Sequence, residues 1–124
     1  MTVQADLTIS EAAAAAGISA HTLRYYERAG LIDPIGRADS GHRRFTERDI
    51  NWIVFLTKLR ATGMPIRQML EYADLVRAGG GTEQARLALL EAHRDAVRER
   101  IDALERNLEL IDYKIDLYRE RVGI

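Results

Sequence analysis

The most regular pattern along the chain lies in its last third. Leu87, Leu90, Arg94, Val97, Ile101, Leu104, Leu108, Ile111, Ile115, Tyr118 and Val122 follow one another in alternating steps of three and four. Ten of these eleven positions are apolar or aromatic, and charged residues fill most of the places between them. That spacing predicts one long helix over 82–122 with a coiled-coil seam along one side. At 1.5 Å per residue such a helix spans ~60 Å, too long to bury its seam on a neighbouring domain of ~80 residues. It needs a partner helix, and a homodimer is the simplest supply. Leu90, Val97, Ile101, Leu104, Leu108, Ile111 and Ile115 are the expected dimer contacts, with Arg94 as the one charged member of the seam.

Shorter helical patterns fill the preceding residues. Thr8-Ile9-Ser10-Glu11 reads as a capping box, opening a helix that carries Ile9, Ala12, Ala13 and Ala16 on one face and stops at Gly17. Ser19 caps a second helix, and Ile18 before it is placed to staple against Leu23. Two short helices joined through Gly17-Ile18-Ser19 make a helix-turn-helix pattern. In the second helix Leu23 and Tyr26 fall on one side, whereas His21, Arg24, Tyr25 and Arg28 fall opposite within an arc of about 100°. Tyr26 is therefore expected in the core and Tyr25 outside, between two arginines.

The pattern changes from Leu31 to Thr46. Pro34 and Gly36 interrupt any helix, and Asp39-Ser40-Gly41 is a turn signal between short extended pieces. This predicts a small β-hairpin with Phe45 folded back onto the helices. Arg37, His42, Arg43 and Arg44 fall on it or at its tip, making a basic wing beside the helix-turn-helix. A third helix follows Thr46, with Asp49 at the third position as in a capping box, and ends at Gly63. Its segment INWIVFLTKL is apolar on most sides, as a central core helix would be. Pro65 suits the first turn of a fourth helix striped by Ile66, Met69, Leu70, Ala73 and Val76. Gly79-Gly80-Gly81 then breaks the chain, and Thr82 caps the long helix. The expected division is a winged helix-turn-helix domain over 1–78 and a dimerisation helix over 82–122.

Composition narrows the chemistry. Charged residues are 30% and apolar residues 47% of the 124, with a net charge of −1. Bulk charge therefore does not point to nucleic acid, but four arginines between Arg37 and Arg48 stand against only Asp39 and Glu47. Cysteine is absent, which excludes disulfides, thiolate metal sites and thiol redox switches. His21, His42 and His93 show no ligand spacing, so neither a metal nor a cofactor is expected. No paired carboxylates, glycine-rich phosphate loop or metal spacing supports an enzyme. The alanine run at 12–16 is too short for a signal peptide, and no apolar run approaches the ~20 residues of a membrane span. A cytoplasmic protein with no membrane partner is expected.

The segments LTISEAAAAAGISAHTLRYYERAGLI, GHRRFTERDI and LRATGMPI, in this order, resemble the MerR family of bacterial transcription regulators, and with the order of the elements the match covers essentially the whole chain. The resemblance implies a mainly α fold: a winged helix-turn-helix domain with a small β-hairpin wing, a second helical wing, and a long helix pairing as an antiparallel coiled coil. It implies a dimer that binds a pseudo-palindrome in double-stranded promoter DNA. Distortion of an overlong spacer then lets RNA polymerase engage both promoter elements. Carried over position by position, Ser19, His21, Thr22, Arg24 and Tyr25, with Arg28 beside them, would meet the major groove and adjoining phosphates. Arg37, Arg43 and Arg44 would hold backbone from the first wing, and Lys58 and Arg60 from the second; His42 stands where the family often has tyrosine. LIDYKIDLYRE and TGMPI look like the aldehyde- and stress-responsive branch, without the cysteine its members often carry in the third helix. The chain ends with the coiled coil, so no appended drug-binding domain is expected, and a pocket for a small-molecule effector would lie between the fourth helix and the partner's coiled coil. The other reading is a dimeric helix-turn-helix scaffold acting through protein contacts, which leaves the basic wing unexplained.

Overall fold

The computed structural model describes residues 7–33 and 45–124, and the expected hairpin over 34–44 lies outside them. The chain divides into two compact units, Met1–Thr82 and Glu83–Ile124. Among the described residues of the first, four helices run in the order α1 (Ile9–Ala16), α2 (Ala20–Arg28), α3 (Glu47–Ala61) and α4 (Ile66–Ala78). The protein is mainly α, as its periodicity predicts.

Local chemistry sets the helix ends. Thr8 accepts from the Glu11 amide at 3.2 Å while the Glu11 carboxylate accepts from the Thr8 amide at 3.0 Å, a complete capping box. Gly17 stops α1 in the left-handed region, φ 75°, where a Cβ would be strained, and the Ile18 amide returns to the Ala13 carbonyl at 3.0 Å. Thr46 and Asp49 repeat the reciprocal box at the start of α3. Pro65 stands one place earlier than expected, as the N-cap of α4 and not inside its first turn. Its extended backbone, ψ 149°, already faces away from the helix, and its missing amide proton removes a donor no helix could satisfy. The Thr82 hydroxyl lies 2.7 Å from the Leu75 carbonyl and 2.8 Å from that of Gly79, donating back toward α4.

Helix α3 is central: it packs on both α1 and α4, while α1 also packs on α2. Phe45, Leu23, Leu31, Ile53, Leu56, Met64 and Met69 are fully buried, each worth roughly 1.5–3 kcal/mol of apolar burial. Phe45 is folded back as expected, fixed by an antiparallel bridge to Leu7 with backbone hydrogen bonds of 2.9 and 2.8 Å. That bridge ties the residue before the α1 cap to the residue before the α3 cap, so the two helices leave one point.

The second unit is α5 (Glu83–Val122), 40 residues long with no buried residue. An unpartnered helix of this length does not by itself hide apolar surface. Leu87, Ile101, Leu104, Leu108, Ile111, Ile115, Tyr118 and Val122 are all exposed along it.

Candidate nucleic-acid interface

The sequence around α2 produces a helix with two unlike sides. Ser19 accepts from the Thr22 amide at 3.0 Å, and its hydroxyl donates to the Thr22 hydroxyl at the same distance. These two expected DNA contacts are thus tied to each other and set where the helix begins. Leu23 and Tyr26 are buried on the inner side. His21, Arg24, Tyr25 and Arg28 are exposed on the outer side, grouped within about 100° of arc. The adjacent tyrosines divide sharply, Tyr25 being 43% exposed and Tyr26 only 4%. Burial raises the Tyr26 phenol above its ordinary value, partly opposed by the Arg60 guanidinium. The α2 helix ends at Arg28, and the Leu31 amide returns to the Tyr26 carbonyl at 2.9 Å around Gly30, φ 88°. The outer face therefore presents two guanidiniums, an imidazole and a phenol on one rigid, doubly anchored rod. Such donors suit phosphates and base edges.

The two residues expected in a second wing do not share a face. Lys58 and Arg60 are two apart on α3, roughly 160° around its axis. Both are exposed, but Arg60 donates weakly to the Met64 carbonyl at 3.4 Å and stands near Tyr26. Arg37, His42, Arg43 and Arg44 lie outside the described residues. Along α5, Leu90 and Val97 are half-buried, while Ile101, Leu104, Leu108, Ile111 and Ile115 are exposed. Arg94 pairs within its own helix, 3.1 Å from Asp95 and 3.9 Å from Glu91.

Several features carried no signal in the sequence. Arg77 of α4 donates to Asp33 at 2.7 Å and to the Gly30 carbonyl, clamping the exit of α2 against α4 across 44 and 47 residues of chain. Trp52 donates its indole proton to the Leu31 carbonyl at 2.9 Å and stacks on Tyr72, with 5.8 Å between ring centres. Phe55 tilts against the same Tyr72 at 5.6 Å. Only the apolar character of α3 and α4 hinted at this cluster. Among the described residues no group of His, Asp or Glu is gathered as metal ligands would be, and no helix is long and apolar enough to cross a membrane.

Comparison with known proteins gives this arrangement a family. The model of the MerR HTH family regulatory proteins matches residues 7–74, and that of the MerR DNA-binding region matches residues 50–112. An uncharacterized HTH-type transcriptional regulator of Haemophilus influenzae is 38% identical over 113 residues, covering 91% of this chain and 84% of that protein. The HTH-type transcriptional regulator AdhR of Bacillus subtilis is 42% identical over 93 residues, 75% of this chain and 66% of AdhR. Among solved structures, HiNmlR, a MerR family regulator lacking the sensor domain and bound to promoter DNA, superposes with a TM-score of 0.85. It is 36% identical, over 96% of this chain and 94% of that one. The two-sided α2, its helix-turn-helix frame and these matches converge: the chain belongs to the MerR family of helix-turn-helix transcriptional regulators.

Proposed function

We propose that this regulator binds promoter DNA as a homodimer, with α2 in the major groove of each half-site. The observation that carries this reading is the outer face of α2, where His21, Arg24, Tyr25 and Arg28 stand exposed opposite the buried Leu23 and Tyr26. The promoter-bound state of HiNmlR supports it. Ser19 and Thr22 flank that face, and Arg37, His42, Arg43, Arg44, Lys58 and Arg60 are assigned to backbone phosphates beside it. The domain division proposed is the DNA-binding unit over 1–78 and the dimerisation helix over 82–122.

In this mechanism each protomer reads only a few base pairs, so a single copy binds little better than nonspecifically. Two copies joined through the α5 seam add their contacts on a pseudo-palindrome. Bending and untwisting the spacer costs on the order of a few kcal/mol, offset by those contacts, and re-aligns the promoter elements for RNA polymerase. No chemical step is assigned to the protein, and its place of action is the cytoplasm, with the chromosome.

The test begins by recovering genomic fragments with the purified protein and sequencing them. On the recovered site, log affinity should fall linearly with log salt. Arg43→Ala should weaken specific and random DNA alike and flatten that slope by roughly one. His21→Ala should instead change the preferred sequence. Failure to enrich any site, or affinity indifferent to salt, would overturn the reading.

A further inference from the structure

Between the exit of α2, the start of α3 and the end of α4 the first unit holds an open hollow of about 420 Å³, within the range of small-molecule sites. Ile32, Asp33, Arg48, Asp49, Trp52 and Arg77 line it, with Ala73 and Val76 beneath. We propose that this hollow is an effector site for a small, flat, apolar molecule carrying one negative charge, such as an aromatic monocarboxylate.

The walls are fixed before any ligand arrives. The Trp52 indole is pinned by its hydrogen bond to Leu31 and by stacking on Tyr72 at an interplanar angle of 16°. Arg77 is held by Asp33, Asp74 and the Gly30 carbonyl. A preformed slot with an aromatic wall suits a planar body, because little ordering cost remains at binding.

The charge of the guest follows from which ionic groups are already engaged. Asp33 is taken by Arg77 at 2.7 Å. Asp49 accepts from both the amide and the hydroxyl of Thr46, at 2.9 and 3.0 Å. Among the described residues Arg48 alone of the four charged lining groups has no hydrogen-bond or ion-pair partner. A cationic guest would have to compete with Arg77 for Asp33 and with the Thr46 cap for Asp49, and a dianion would find one free guanidinium for two charges. A monoanion is matched, its carboxylate on the Arg48 fork and its ring along Trp52.

The effector role rests on the regulator reading, but binding does not, so the titration is run on the full chain without DNA. Trp52 is the single tryptophan of the sequence, which makes its emission a reporter local to the hollow. Phenylacetate is expected to change that emission saturably with a dissociation constant on the order of 1 mM or tighter. Phenylacetamide, the neutral isostere, and benzylamine, the cation, should each bind about tenfold more weakly or worse. Arg48→Gln should lose about tenfold for phenylacetate while keeping the helical circular dichroism of the parent. No saturable change with phenylacetate, or equal binding of phenylacetate and phenylacetamide, would overturn the site. So would a correctly folded Arg48→Gln protein that binds phenylacetate unchanged.

Discussion

Tyr25 and Tyr26 are neighbours in the chain and opposites in role. One 100° step around α2 carries the ring from 43% exposure to 4%. Replacing the inner ring opens a cavity beside Leu23, so Tyr26→Ala should cost about 3–5 kcal/mol and lower the thermal midpoint by many degrees. The outer ring supports little of the fold, and Tyr25→Ala should change stability by no more than about 0.5 kcal/mol. On the proposed reading it nevertheless weakens DNA binding. Thermal unfolding and gel-shift on the same two proteins separate these effects. A Tyr25→Ala protein that melts like the parent and binds DNA like the parent would remove Tyr25 from the interface.

At the scale of the element, α1, α2 and α3 are each held at their start by side-chain hydrogen bonds across three residues. In the Thr8–Glu11 box the Glu11 carboxylate accepts from the Thr8 amide and the Thr8 hydroxyl is close beside it, which lowers the Glu11 pKa below its ordinary 4.5. A lowered carboxylate binds fewer protons in the folded chain than in the unfolded one. Its contribution is therefore fully present above the ordinary value and is lost as pH falls through the folded one. Glu11→Gln should thus melt below the parent near neutral pH, and the gap should close as pH falls from about 6 to about 3. Melting curves of the pair across that range check the sign: a gap that widens on acidification would contradict the box as its source. The Thr46–Asp49 box shares the geometry at α3, so both helices that leave the Leu7–Phe45 bridge begin with a reciprocal cap.

At the scale of the whole molecule the unanswered surface is that of α5. Leu104 is 66% exposed in the single chain, in the middle of the proposed seam. In the proposed dimer, Leu104→Glu places a charge without a partner in that seam, at a cost of several kcal/mol. It should give monomers and abolish specific DNA binding together. Arg94→Leu should leave the dimer intact or tighten it, because Arg94 already turns its guanidinium to Asp95 and Glu91 on its own helix. Sedimentation and gel-shift on the same samples decide the matter. A Leu104→Glu monomer that still binds and bends its site would break the link between dimer and function.

The elements of this protein were legible in its sequence because their causes are local. Caps act across three residues, glycine stops act at one, and the α5 stripe repeats every three or four, so Thr8, Ser19, Thr46 and Gly17 mark helix ends without knowledge of the fold. The two faces of α2 follow from the same periodicity. Pro65 stands one position before its expected place, because its fixed φ suits the N-cap as well as the first helical turn. What the tertiary structure alone decided joins residues far apart: Leu7 to Phe45, Trp52 to Leu31, Arg77 to Asp33 and Gly30. It also gathered the walls of the hollow from three segments. No periodicity encodes such pairs. Each depends on how buried faces settle against one another, and a polar side chain finds its partner only after apolar packing has brought the two segments within reach.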